Sequence, residues 1–325
     1  MGWLNSLIRY FGLAQMRVLI VDHHMTLAVL LSVQGVEAVI APLFPILLFV
    51  ELALIAWGYR RSMGSFYRAY KIPTLMYGLN LAIGLLINLN IFVWTQQHFT
   101  AWAPLHATMR VRWFVYAYVV WELSHFVYHW TCHKVRLLWV LHAPHHAPQH
   151  MNLGVIYTAF FLQGAYATFV RTAICSLLGI PMELLILCMV IDGCWGALIH
   201  FSEELWPSGK FGFFIDRLIL TPSDHRVHHA SNREYIDMNY CNTLPIWDKL
   251  FGTLQREIPG AKPKYGLARM QKPNNFTDAY FGEIGLLWSD ISDARSWTER
   301  VFYMVKPPGW KPSMSPSGMG EMIER

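Results

Sequence analysis

"HWTCHKVRLLWVLHAPHH", residues 129–146, gathers His129, His133, His142, His145 and His146 into one short stretch of an oily chain. Spacings of three and four residues put side chains on one face of a helix, with Cβ atoms about 5–6 Å apart. Imidazoles on such a face can converge on one cation, and the neutral ring suits iron, zinc or copper. A single pair would be a weak signal. The HxxHH pattern returns at 225–229 with His225, His228 and His229, and His200 closes an apolar run. Nine candidate donors exceed the four that one structural zinc takes, so the count implies two metals with all-nitrogen shells.

The third cluster carries its own helix start. Thr221 is placed as N-cap, Pro222 at the first helical position and Asp224 at the third, a capping-box arrangement. The second cluster does not, because Pro144 lies inside it and Pro148 follows, so a regular helix through His142 is not expected. A ligating ring needs a partner for its other nitrogen. Glu122, His125, His150, Asp192, Asp224 and Asp237 are the candidates to orient the rings. His23, His24, His98 and His106 read as membrane-boundary histidines.

The surrounding composition is that of a membrane protein. Of 325 residues, 54% are hydrophobic and only 14% charged, against about 25% charged in a soluble domain; mean hydropathy is +0.29. A net charge of +5 is scattered between apolar runs, which marks topology and excludes a nucleic-acid footprint. The five cysteines form no CxxC pair and read as small apolar residues.

A membrane-crossing helix needs roughly 20 apolar residues. Candidates are 36–57, 73–96, 113–130, 155–178 and 181–200, the last two joined by a tight hairpin at 179–181. The basic loop 58–72 is placed in the cytoplasm by the positive-inside rule, and counting forward brings every histidine cluster to that same face. The expected fold is therefore an all-α integral membrane protein. Four to five transmembrane or re-entrant helices carry a cytosolic helical cap with a histidine-rich dimetal site. Residues 1–25 form an amphipathic interfacial segment, 26–200 the membrane region and 261–325 a cytosolic tail. That tail has amphipathic stretches near 276–291 and 296–305. A polar and small stripe, Asn80, Gly84 and Asn88, reads as helix–helix packing.

HxxxH, then HxxHH nine residues on, then "LTPSDHRVHH" and "NYCNTLPIWDKLFGT" together resemble the fatty acid hydroxylase/sterol desaturase superfamily over about 113–260. With "MNL", "LIHFSE" and "KPPGW" they look most like its alkylglycerol monooxygenase branch. Trp130 stands where the family usually has arginine, and Phe126 and Val127 where it often has "YW"; Pro144 is unusual too. The resemblance implies a membrane-bound di-iron enzyme that uses O₂ to hydroxylate a lipid C–H bond. On an alkylglycerol, the hydroxylated ether carbon would collapse to a fatty aldehyde. Two Fe ions would be held by His129, His133, His142, His145, His146, His200, His225, His228 and His229. The reductant would be tetrahydrobiopterin or another electron donor. The location would be the endoplasmic reticulum of a eukaryote or the inner membrane of a bacterium.

Three alternatives stand beside it. One is a hydroxylase or desaturase of the same superfamily acting on a sterol, an acyl chain or a lipid head group. Another is a membrane metal transporter, which should line a path across the bilayer with its ligands. A ferritin-like carboxylate site fails, since only "ELSH" (122–125) matches the required ExxH motif.

Overall fold

The long apolar runs become helices because they contain good helix formers such as leucine and alanine and carry few breakers. The computed structural model describes residue 53 and residues 63–201, 215–267 and 275–312. The amphipathic start and, apart from residue 53, the run 36–57 lie outside these residues. α1 (Met63–Thr100) is followed by α2 (Val111–Lys134), α3 (Arg136–His146) and a 3-10 turn at Leu153–Tyr157. Then come α4 (Gln163–Leu177), α5 (Met182–Ile199), the short α6 (Ile215–Leu218) and α7 (Pro222–His228). α8 (Ile246–Phe251), α9 (Phe276–Ser292) and α10 (Trp297–Val305) complete the described chain. Among the described residues there is no strand, only an isolated bridge between Ala230 and Tyr265.

Three elements differ from expectation. The basic stretch expected as a loop to residue 72 is helical from Met63 and runs through Pro73 into the apolar part of α1. The run 155–178 is not one helix. Its first part is held open because the His145 Nδ1 lies 3.2 Å from both the Val155 and the Thr158 carbonyl. What remains is the 15-residue α4, about 22 Å long against about 30 Å of hydrocarbon. The third difference is α3, which runs straight through His142 to His146 with Pro144 in its last turn. The missing proline N–H costs one bond there, while packing against α2 and α9 holds the helix.

α1 packs on α4, and α2 lies between α3, α4 and α5. A core of Phe92, Trp121, Cys175, Ile180, Leu184 and Leu185 fills the bundle below the histidines. The hairpin tip needs Gly179: its φ is +77°, and a Cβ there would sit 1.9 Å from the Leu105 carbonyl oxygen. Asn80 and Asn88 work as packing residues. The Asn80 amide donates to the Ala159 carbonyl and its oxygen accepts from the Tyr280 hydroxyl, while the Asn88 amide fills the space above Gly164. Of the described helices, α5 is long and apolar enough to cross a membrane. The tail stretches form α9 and α10, each started by a side-chain cap, Asn275 and Ser296.

Candidate metal centre

Two helix faces, one capped turn and one helix end converge above this core. His129 and His133 come from α2, His142 and His146 from α3, and His228 from α7; their ring nitrogens lie within 4.8 Å of one another. His145 from α3, His200 at the end of α5, and His225 and His229 from α7 form a second group within the same limit. Each HxxHH box is thus split. Its i and i+4 rings face one group, and its i+3 ring, rotated around the helix, faces the other. The 142–146 box gives two rings to the first group and one to the second; the 225–229 box does the reverse.

α7 can hold such a phase in seven residues because its start is fully capped. The Thr221 side chain accepts from the Asp224 N–H, and the Asp224 carboxylate accepts from the Thr221 N–H. Arg256 pairs with the same carboxylate.

The donor set fits cations. A backbone carbonyl only accepts, so a ring nitrogen bonded to one must carry the proton, leaving the other nitrogen a bare lone pair. The His129 Nδ1 donates to Tyr240 (2.9 Å), that of His228 to Met238 (2.8 Å) and that of His200 to Gly196 (2.5 Å). With the His145 bonds to Val155 and Thr158, four Nε2 lone pairs are fixed inward. Those of His200 and His145 face each other at 3.4 Å with no proton to place between them. The His228 Nε2 and His133 Nε2 are buried without a hydrogen-bond partner. Further Nε2–Nε2 separations are 3.0 Å for His129–His142, 2.9 Å for His225–His200 and 3.0 Å for His229–His225. Two nitrogens each about 2.1 Å from one cation stand about 3.0–3.4 Å apart.

Burial keeps the rings neutral, the form that ligates. It lowers the pKa of His145 to about 3, with the His200 ring adding to the effect. His142, His146, His225, His228 and His229 are pushed well below the usual histidine value by burial and by one another. His133 is lowered by burial despite Asp237. Asp237 itself would be raised by burial, but His133 and Lys134 hold it at about 2.

The residues expected to orient rings divide by what they touch. Asp237 reaches a ring, with its carboxylate 3.5 Å from the His133 Nδ1. Glu122 and Asp192 act on backbone and amide instead. Glu122 accepts from the Asn242 and Thr243 N–H groups, and Asp192 accepts from the Asn242 amide, with the His125 Nδ1 3.7 Å away. Asp224 caps α7. His150 is exposed and joins neither group. Of the boundary histidines, His98 stacks on Trp94 and His106 is exposed, while His23 and His24 lie outside the described residues.

The sequence did not single out Asp248. Fully buried, it accepts from the Tyr240 and Cys241 N–H groups and the Thr253 hydroxyl. It thereby fixes the carbonyl that holds His129. Its position, between "NYCNT" and a turn, was the available hint. The Tyr240, Met238, Gly196, Val155 and Thr158 carbonyls carried no hint, since every residue has one.

A cavity of about 280 Å³ opens onto His133, His146 and His228 of the first group and His229 of the second. Trp139, Asp237, Leu267 and Glu283 are among its walls. Trp139 also packs against His133 and His146 at 5.0 and 5.3 Å between ring centres.

Residues 114–253 match the fatty acid hydroxylase family. The chain is 28% identical to the alkylglycerol monooxygenase of Homo sapiens over 210 residues, which is 62% of this chain and 43% of that one. It is 26% identical to the alkylglycerol monooxygenase of Danio rerio over 230 residues, 68% of this chain and 47% of the relative. The ornithine lipid hydroxylase OlsE of Rhizobium tropici is 27% identical over 166 residues, 48% of each chain. The matches span less than half the length of these relatives. No solved structure matches the chain.

Proposed function

We propose that this chain is a multi-pass membrane, di-iron monooxygenase that hydroxylates a lipid C–H bond, with ether-linked alkylglycerols as the first substrate class to test. One observation carries the metal part: the inward lone pairs of His145 and His200 meet at 3.4 Å with both outer nitrogens committed to carbonyls. The substrate class rests on the relatives named alkylglycerol monooxygenase. The ornithine lipid hydroxylase relative favours a second reading, hydroxylation of a polar lipid.

His129, His133, His142, His146 and His228 would hold one iron, and His145, His200, His225 and His229 the other. When bound, the irons supply the activation of O₂ for attack on an unactivated C–H bond. The remaining work is done by this chain's residues. The carbonyls of residues 155, 158, 196, 238 and 240 keep the outer ring protons in place and aim Nε2 inward. Trp139, packed against His133 and His146, shields the faces of those two rings. The cavity beside Trp139 gives small reactants and the electron donor a route to the ring edges. Overall, R–H, O₂, two electrons and two protons give R–OH and water; on an alkylglycerol the product is a hemiacetal that releases aldehyde and glycerol.

Membrane attachment is supported by α5 and by large apolar residues exposed on the bundle, among them Leu75, Leu89, Trp94 and Val115. The histidine end faces the cytoplasm on the charge argument above.

The test uses purified full chain and membranes containing it. About two irons per chain and O₂-dependent long-chain aldehyde from an alkylglycerol with tetrahydrobiopterin are expected. Hydroxylated ornithine lipid without aldehyde would move the assignment to the second reading. Metal flux across vesicles without O₂ consumption would replace the enzyme with a transporter.

A further inference from the structure

The segment after the last histidine box does not stay at the level of the histidines. α2 rises about 1.5 Å per residue, so Val119 lies about 15 Å from His129, toward the hairpin tip. The Trp247 indole donates to the Val119 carbonyl at 3.1 Å, and the Tyr118 hydroxyl donates to the Thr243 Oγ1 at 3.0 Å. Phe251 stacks on Phe126 with ring centres 5.0 Å apart. Leu244 packs on the core cluster that contains Ala117, Ile180 and Leu184. α8 therefore flanks the middle of α2, the part expected within the bilayer, and not the cap.

Its outward face is apolar. Leu250 is 67% exposed, Phe251 57% and Ile246 41%, with Leu218 of the neighbouring α6 at 65%. The two charged residues of α8 do not contradict this. Asp248 points inward and is saturated with donors. The Lys249 ammonium donates back to the Arg217 carbonyl, as a lysine does when its stem runs along an apolar surface. Val115, one turn below Val119 on the same face of α2, is 57% exposed and extends the surface downward.

We propose that α6 and α8 form a wedge that dips into the cytoplasmic leaflet, with Leu218, Ile246, Leu250 and Phe251 seated among lipid acyl chains. Lipid is the occupant because the patch continues an apolar face of a bundle helix at bundle depth, with basic residues beside it. The inference rests on the membrane reading above and adds that residues after the third box share that membrane.

The test places a nitroxide on a single introduced cysteine in the full chain, reconstituted in phospholipid vesicles, with the unsubstituted chain as background. Positions are Leu250→Cys and Ile246→Cys in the wedge, Val115→Cys on α2 and Arg233→Cys as the water-facing reference. Relaxation by dissolved O₂ is compared with relaxation by a water-soluble nickel chelate. The wedge labels and Val115 should be relaxed mainly by O₂, with chelate collisions roughly tenfold fewer than at Arg233, as expected in a layer that excludes ions. Wedge labels that behave like Arg233 while Val115 stays O₂-relaxed would overturn the wedge and leave the membrane reading standing. Wedge labels silent to both agents would mean cover by protein, which also overturns it. A Val115 label behaving like Arg233 would remove the membrane reading and the wedge together.

Discussion

The two histidine groups are built from the same boxes but supported in different ways. In the first, three rings are aimed from one strap. Asp237 meets His133, the Met238 carbonyl accepts from His228, and the Tyr240 carbonyl accepts from His129. That strap is unusual backbone, with Asp237 and Asn239 at φ 66° and 58°. It is tied down at its far end by Glu122, Asp192 and Asp248. In the second group, His200 bonds to a carbonyl of its own helix and His145 to a turn ten residues away. One group depends on long-range scaffolding, the other on local backbone. The first has five rings and one to spare; the second has four and none.

The largest expected effect follows from that surplus. His145→Ala or His225→Ala leaves three rings in the second group, so iron should fall from about two to about one per chain. Activity should drop more than the roughly 10–100-fold that follows loss of an outer partner. His142→Ala leaves four rings in the first group and removes a ring whose buried Nδ1 is not anchored by a backbone carbonyl. Iron should stay near two and activity should partly survive. Iron analysis beside turnover separates the cases, and equal iron loss in all three variants would break the asymmetry.

Asp248→Ala tests the strap. It leaves the Tyr240 and Cys241 N–H groups without their acceptor and frees the carbonyl that aims His129. Iron affinity of the first group should fall about 10–100-fold while the second is unchanged. Chelator competition should then show one fast and one slow iron. Uniform loss of both would make Asp248 a general folding residue. Asp237→Asn is milder, since the amide oxygen can still accept from His133. About tenfold, confined to the same iron, is expected.

How much of this was legible follows from what kind of atom does each job. The nine histidines and the capping box stood in the sequence because side-chain identity at fixed spacing encodes them. α9 and α10 were visible as amphipathic stretches, while the Asn275 and Ser296 caps that start them emerged only from the structure. The partition of rings was not visible, since it depends on how α3 and α7 are turned toward each other. Pro144 misled because its penalty is local while the packing that outweighs it is not. The break at 153–162 was hidden for a similar reason: an apolar run gives no sign that a histidine will take its carbonyls. Glu122 and Asp192 were recognisable as buried acids, but their partners are a strap 120 and 50 residues away in sequence.

The smallest expected effect tests whether the comparison has a shared foundation. α7 sends His228 to the first group and His225 and His229 to the second, all from one capped start. Thr221→Ala removes the side chain that accepts the Asp224 N–H and should cost about 1 kcal/mol, read as a modest fall in melting temperature. Because the cap sets the phase of all three rings, both irons should weaken together and slightly, unlike the one-sided losses at Asp248 and Asp237. Thr221→Ser, which keeps the accepting oxygen, should restore both. A Thr221→Ala loss confined to one iron would mean that the rings of α7 are positioned by their outer-nitrogen partners and not by the helix, leaving the two groups structurally independent.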